Sequence, residues 1–251
     1  FLERIILIIG GGYTMLETNL LKVGELMSKA LWPMLKACVL TTIPLSLLAF
    51  ILGIIVAFLV ALMRLSKSRV LQGIAKFYVW IIRGTPLLVQ LFIIFYGLPQ
   101  FGIVLSPFVS AVVGLTISQG AYNSEVIRAA INAVPKGQWE AAHALNISRA
   151  QTIRHIIIPQ AALIAVPSVG NYFISLTKDT SLCAVLTVKE VFQIARAQVA
   201  SNFQPLWMYV EAGIIYLILC TALTFLQSCL EKYLGKHNAV MAALNSSAKK
   251  A

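Results

Sequence analysis

Long uncharged stretches alternate with short charged segments along the chain. Residues 37–63 carry no charge and would form about 40 Å of α-helix, enough to cross a bilayer with some tilt. Residues 84–124 are also uncharged, but Pro99 to Gly102 and Pro107 interrupt them, which predicts two spans joined by a short turn. Two later apolar stretches predict one span each. We therefore expect an all-α integral membrane protein with about five transmembrane helices, at 37–63, 77–98, 108–131, 156–177 and 206–230.

The composition agrees with a chain embedded in lipid. Of its 251 residues, 59% are hydrophobic and 12% are charged, whereas soluble domains carry about 25% charged residues. These values exclude a soluble enzyme, a disordered chain and a disulfide scaffold. The net charge of +11 does not indicate a nucleic-acid partner, because the basic residues lie in short segments between apolar stretches. The four cysteines have no metal-binding spacing and are predicted to be free thiols: Cys38, Cys183, Cys220 and Cys229.

The distribution of basic residues predicts the orientation. With the N-terminus outside, the inner segments contain 12 Lys and Arg residues and the outer segments contain seven, together with five acidic residues. The inner segments are 64–76, 128–158 and 231–251, and the outer ones are 1–36 and 178–204. The positive-inside rule therefore favours an outer N-terminus and a cytoplasmic C-terminus. Residues 1–30 would be an extracytoplasmic segment without an assigned role, and residues 235–251 a cytoplasmic tail.

The longest inner loop, at 135–158, is predicted to form two helices around a sharp turn. Residues Glu140 to Leu145 are mostly strong helix formers. Asn146 suits a left-handed C-terminal cap, and Ser148 with Gln151 forms a capping box that starts the next helix. Small alanine side chains would allow a partner to approach closely, and a rigid turn would transmit its movement to the fourth span. A surface helix without a partner is the alternative.

Three segments resemble permeases of ATP-binding-cassette (ABC) importers, in the group that takes up polar amino acids such as histidine, glutamine, arginine and cystine. Glu140-Ala-Ala with the later Ile-Ile-Pro159 resembles the "EAA" loop, although Asn146 stands where that family has glycine. The stretch from Arg83 to Pro99 and the segment Lys178-Asp-Thr-Ser-Leu182 strengthen the resemblance, which covers about residues 31–234.

The resemblance implies a type I importer permease fold in the bacterial cytoplasmic (inner) membrane. It also implies a second permease subunit, identical or different, two cytoplasmic ATPase subunits, and an extracytoplasmic amino-acid-binding protein. The chain lacks a G-x-x-x-x-G-K-[ST] phosphate loop, so we expect no cofactor on it and no enzymatic activity, with ATP and Mg²⁺ on the partner ATPases. Residues implied in coupling to them are Trp139, Glu140, Ala141, Ala142, His143, Leu145, Asn146 and Ser148.

Polar groups inside or at the end of a span are candidates for the substrate pathway, because they are costly in lipid. They are Gln90, Ser118, Gln119, Asn123, Glu125, Lys178, Asp179 and Thr180. An amino acid needs an anion for its ammonium group, such as Glu125 or Asp179, and hydrogen-bond donors for its carboxylate. The alternative is structural: Glu125 pairs with Arg128 or Lys178, and Lys178 with Asp179 is an interfacial charge pair.

The leading hypothesis is a permease subunit that carries a polar amino acid by alternating access, driven by ATP on its partners. One rival is a secondary transporter, which would work without an ATPase and usually contains an internal repeat. A second is a non-transporting membrane scaffold, and a third is an intramembrane enzyme, for which no nucleophile–base pair is visible in the sequence.

Overall fold

The computed structural model of the chain describes residues 22–248, with side chains for residues 22–234, and this part contains helices and turns but no β-strand. Its helices are α1 Lys22–Leu65, α2 Arg69–Arg83, α3 Leu87–Phe92, α4 Pro107–Ala133, α5 Lys136–Ala144, α6 Arg149–Leu186, α7 Val191–Asn202 and α8 Pro205–Ala248. Local changes of helix type occur at π turns in α1 (Cys38–Thr42) and α6 (Ile153–Ile157), and in the closing 3₁₀ segment of α6 (Thr180–Leu186).

The centre of the bundle is formed by α1, α4 and α6. Helix α1 lies parallel to α4 and close to it, since a Cβ atom added at Gly53 would lie 2.7 Å from Cβ of Gln119. Helix α6 runs antiparallel to α4, so Leu115 shares an apolar cluster with Leu176 near one end. The cluster at the other end joins Ala130 of α4 to Ala161 of α6. These contacts place the short helix α5 at the end of the bundle where α4 leaves and α6 enters.

Three described helices, α1, α6 and α8, are long and apolar enough to cross a membrane. Helix α2 and the segment Leu87–Phe101, which begins with α3, together also meet this criterion as a broken span, with a bend of 104° between them. Helix α4 has 27 residues, which is about 40 Å, but its polar residues keep it outside this apolar group. The prediction of a helical membrane protein is confirmed, while five spans and an outer N-terminus stay predictions.

The region of the predicted second span, 77–98, is not one helix but is broken in the middle. The chain breaks at Gly84-Thr85-Pro86 because proline has no N–H to donate and disfavours helical geometry in the residue before it. Gln90, a predicted pathway residue, stabilises this break. Its Nε2 donates to the carbonyl oxygens of Ile82 (2.8 Å) and Thr85 (3.1 Å), which the break leaves without helical partners.

Two other boundaries also differ from the sequence prediction. The helix expected at residues 140–145 is α5, which begins at Lys136, so Glu140 lies in its second turn. The first span is preceded by helix from Lys22 onward, so residues 22–30 are not a separate segment. Residues 1–21 lie outside the described part of the chain, as do the side chains of the predicted tail, 235–251.

Candidate functional site

The C-terminus of α5 is closed by a Schellman motif. Asn146 adopts the left-handed conformation with φ 53°, which confirms the prediction for this residue. The N–H of Ile147 donates to the Ala142 carbonyl and the N–H of Asn146 to the His143 carbonyl, both at 3.0 Å. Ser148 and Gln151 then form the predicted capping box at the start of α6. Only about four residues separate the two helices, so the turn is compact and internally hydrogen-bonded.

Helix α5 has one face against the bundle and one face exposed. Trp139 packs against the apolar cluster of α4 and α6, and Ala142 is 2% exposed. The exposed residues in its second half and at its end are Glu140, Ala141, His143, Ala144 and Leu145, and Lys136, Gly137 and Gln138 of its first turn are exposed as well. Leu145, directly after the end of α5, is 74% exposed. An apolar tip flanked by small side chains and one carboxylate is suited to protein contact.

The predicted pathway residues of α4 do not share one environment. Ser118, Gln119 and Asn123 are buried within the bundle. The Asn123 side-chain amide donates to Oε1 of Gln119 at 2.8 Å and to its backbone carbonyl at 3.1 Å. Gln119 also lies against Gly53 of α1. The described contacts of these three residues are therefore those of internal packing.

Glu125 forms two ion pairs. One oxygen bonds to Arg64, at the end of α1, and the other lies 2.8 Å from Nη2 of Arg128, one turn along α4. Two cations for one carboxylate leave this cluster with a net positive charge. The expected alternative of a pair with Arg128 is thus confirmed, whereas Lys178 is not involved.

A cavity of about 490 Å³ lies beside these ion pairs, between α4 and α6. Its charged lining consists of Glu125, Arg128 and Arg83. The Arg83 guanidinium also lies 5.4 Å from the ring centre of Tyr122, within the range of a cation–π contact. Two guanidinium groups and one carboxylate favour an anionic group in this cavity.

Lys178, Asp179 and Thr180 lie where α6 changes into its 3₁₀ segment. Lys178 is exposed, Asp179 is half-buried, and Thr180 is fully buried with its hydroxyl donating to the Thr177 carbonyl. Leu176 contacts the cluster around Leu115, which is ten residues, or about 15 Å, from Glu125 along α4. Asp179 lies a further turn away, so it is about 20 Å from Glu125. The two carboxylates do not form one site.

A second buried polar junction was not predicted from the sequence. Glu190 is fully buried and caps the N-terminus of α7, accepting from the N–H groups of Phe192 (2.8 Å) and Gln193 (2.6 Å) and from the Tyr216 hydroxyl of α8. The N–H of Val191 donates to Thr42 Oγ1 in the π turn of α1. Loss of hydration raises the pKa of Glu190 to about 7, although its hydrogen bonds oppose the shift.

The sequence gives only a weak signal for this junction. Glutamate is not among the preferred N-cap residues, and the contacts come from residues far away in the chain. Within residues 22–234, no three His, Cys, Asp or Glu side chains are close enough together to hold a metal ion.

The described residues form a helical membrane protein in which the short helix α5 lies between two longer helices, α4 and α6. The sequence profile described as "Binding-protein-dependent transport system inner membrane component" matches residues 49–236. The chain therefore belongs to the family of inner-membrane components of binding-protein-dependent transport systems.

Individual relatives agree with this family. The chain is 46% identical over 214 residues to the L-cystine transport system permease protein TcyB of Bacillus subtilis, covering 85% of this chain and 92% of that protein. It is 36% identical over 198 residues to the arginine transport system permease protein ArtQ of the same organism, with 78% and 90% covered.

Solved structures share the fold. A chain described under "Crystal structure of an amino acid ABC transporter with histidines" matches with a TM-score of 0.74 and 32% identity, covering 86% of this chain and 97% of that one. A chain of the MetNI methionine ABC transporter in an inward-facing conformation matches with a TM-score of 0.64 at 19% identity, covering 83% and 96%. The resemblance to ABC importer permeases and the type I fold that it implies are confirmed.

Proposed function

We propose that this chain is the membrane-spanning subunit of an ATP-driven importer of polar amino acids in the bacterial inner membrane. Relatives named for L-cystine and arginine transport support the cargo class. The observation that carries the proposal is the region of α5: Glu140 and Leu145 are exposed, Ala142 is buried, and Trp139 packs against the apolar cluster of α4 and α6.

Movement of α5 would pass directly into the bundle. Closure of two ATPase subunits around ATP and Mg²⁺ would displace the exposed face of α5. Because the Schellman turn and the capping box leave little slack before α6, the displacement would reach α6, and Trp139 would carry it to α4. The two helices would then rock together and open the pathway to alternate sides.

The charged cavity beside Glu125 supports a second permease subunit. Arg83 is exposed, Arg128 is partly exposed, and both line the cavity beside Glu125. Charged side chains at membrane depth rarely face lipid, and instead face another protein or a water-filled passage. A second copy or a related subunit, with the passage between the two, would meet this requirement. An extracytoplasmic binding protein would deliver the cargo at the opposite end from α5.

The separation of the charged groups favours successive contacts along the pathway. The cavity beside Arg83 and Arg128 suits the carboxylate of an amino acid, whereas Asp179 suits its ammonium group. These positions are about 20 Å apart along the helices, which is too far for one small molecule. Because Glu125 already pairs with Arg64 and Arg128, we assign it the role of fixing these two arginines, rather than binding the cargo.

The substitution Glu140→Arg tests the coupling. It replaces an exposed carboxylate on the contact face with a cation, so we expect at least about a tenfold loss of partner ATPase co-purification and of amino-acid uptake in proteoliposomes. Glu25→Arg is the matched control, because Glu25 is an exposed carboxylate on α1 near the opposite end. Membrane insertion of both variants should be normal.

The rival functions give different results. A secondary transporter would keep full uptake in the Glu140→Arg variant and would need no ATPase. A scaffold would show no uptake even in the wild-type complex. Either result, with normal insertion, would contradict the proposed function.

A further inference from the structure

A second cleft lies between α1 and α8 and shares no lining residue with the cavity beside Glu125. Its volume is about 570 Å³. The α1 wall includes Leu31 and Leu35, and the α8 wall includes Ile214, Ile218 and Ala222. The α8 lining extends from Glu211 to Ala222, three helical turns or about 16 Å. The cleft is therefore an elongated apolar groove.

The groove is continuous with an apolar outer surface. Among the leucine and isoleucine residues of its rim, Leu31 is 42% exposed, Ile214 46% and Ile218 64%. Leu217, beside Ile218, is 65% exposed. Side chains of this kind belong in contact with lipid chains, so a molecule from the membrane can enter the groove from the side.

One charged residue interrupts this apolar lining. Glu211 is only 4% exposed, and its Oε2 atom is buried without a hydrogen-bond partner among the described residues. Glu211 takes part in neither of the two ion pairs that the described side chains form. A buried carboxylate without a partner is unfavourable, so the groove lacks a hydrogen-bond donor that could be supplied by a ligand.

The depth of Glu211 matches the headgroup region of a bilayer. Glu211 lies six residues, or about 9 Å, after the start of α8 at Pro205. The α1 wall ends at Cys38, just beyond Lys36, where the long uncharged stretch begins. Glu211 is thus near one apolar boundary. The α8 lining after it belongs to an uncharged stretch, whereas most of the α1 wall, from Met27 to Leu35, precedes the uncharged stretch that follows Lys36.

We propose that this groove binds one phospholipid with a primary-ammonium headgroup, such as phosphatidylethanolamine. The ammonium would donate hydrogen bonds to Glu211, and an acyl chain would lie along Leu35, Ile214 and Ile218. A quaternary headgroup has no N–H to donate, and an anionic headgroup would be repelled by the carboxylate. Charge complementarity therefore selects among lipids that share the same acyl chains.

Native mass spectrometry of the full chain released from nanodiscs tests the proposal. The nanodiscs contain equal amounts of phosphatidylethanolamine, phosphatidylcholine and phosphatidylglycerol with identical acyl chains. We expect phosphatidylethanolamine to be retained about tenfold over either competitor. On the unchanged protein, successive N-methylation of the headgroup should lower retention stepwise, which requires no variant.

Two variants test the headgroup contact and the apolar lining of the groove separately. Glu211→Gln should abolish the preference among headgroups, whereas Glu25→Gln, the same change at an exposed position on α1, should keep it. Ala222→Trp fills the apolar end and should lower retention of all three lipids. Circular dichroism and gel filtration of each variant check that it is folded.

Three results would overturn the proposal. Equal retention of the three lipids by the wild-type chain would remove the headgroup selectivity. Unchanged selectivity in a folded Glu211→Gln variant would remove the role of the carboxyl group. Efficient disulfide cross-linking between copies that carry Ile218→Cys would show that a second copy covers the groove. None of these results depends on coupling through α5, so the proposed function is tested separately.

Discussion

The two ends of the bundle satisfy their helix termini in different ways. At the end of α5, the N–H groups of Asn146 and Ile147 donate to carbonyl groups three and five residues back in the same helix, and most of the turn is exposed. At the start of α7, the buried Glu190 binds Tyr216 of α8, and Thr42 of α1 receives the Val191 N–H. The first arrangement is self-contained and leaves a surface free for a partner. The second ties three helices together.

Removing the Glu190 carboxyl group should have the largest effect. In Glu190→Ala, the N–H groups of Phe192 and Gln193 and the hydroxyl of Tyr216 lose their acceptor in a buried site. At roughly 1–3 kcal/mol for each unsatisfied group, with partial relaxation, we expect a loss of roughly 3–5 kcal/mol in the free energy of unfolding. Circular-dichroism melts of the purified chain in detergent at pH 5 measure it.

Glu25→Ala is the control for this variant, because Glu25 is an exposed carboxylate and should change the stability by less than about 0.5 kcal/mol. A melt of Glu190→Ala like that of the wild type would show that the α7 junction contributes little, and the contrast between the two ends would then be lost.

Titration of the Glu190 carboxyl group should change the stability by somewhat less than its removal does. Its pKa rises from 4.5 to about 7 on folding, so between these values the folded state holds a proton that the unfolded chain has released. Stability should therefore be highest below pH 4.5 and fall as the pH rises to 7, by roughly 2–3 kcal/mol. Cys38, Cys183 and Tyr216 face the group, and none of these residue types ordinarily ionises in that range.

Glu190→Gln isolates this contribution, because glutamine keeps an acceptor oxygen but does not titrate. Thermal melts from pH 4.5 to 8 give the stability of both proteins. The stability difference between wild type and Glu190→Gln should fall as the pH rises to 7. A wild-type curve parallel to that of the variant would contradict the prediction.

Local chemistry explains which features could be predicted from the sequence. Asn146 and the capping box of Ser148 and Gln151 depend on residues a few positions apart, so their pattern is visible in the chain. The apolar stretches likewise predicted helices in approximately the right places. Three motifs in the expected order along the chain then indicated the family, which the composition alone does not identify.

Features set by distant contacts could not be predicted. The break at Pro86 is stabilised by Gln90, whose amide suggested a pathway role because its burial at the break was not visible. Glu125 suggested a cargo contact, but its pairing with Arg64, 61 residues away, appears only once α1 lies against α4. The junction at Glu190 needs three helices to be in place. A polar residue inside an apolar stretch therefore predicts a buried polar side chain. Whether that side chain is structural or functional depends on its partners in the fold, which the sequence does not show.

The turn after α5 should show the smallest effect of the three tests. Asn146 has φ 53°, a conformation that glycine adopts freely and β-branched residues avoid. Asn146→Gly should therefore leave stability and uptake near wild type, whereas Asn146→Val should destabilise the turn by roughly 1–2 kcal/mol. Hydrogen exchange at the Ile147 amide would report that opening directly, because this N–H closes the Schellman motif. If Asn146→Val weakens ATPase co-purification while the global melt is unchanged, the turn acts as a local connector to the partner. Equal exchange in the valine and glycine variants would mean that the left-handed geometry is not what holds α5 in place.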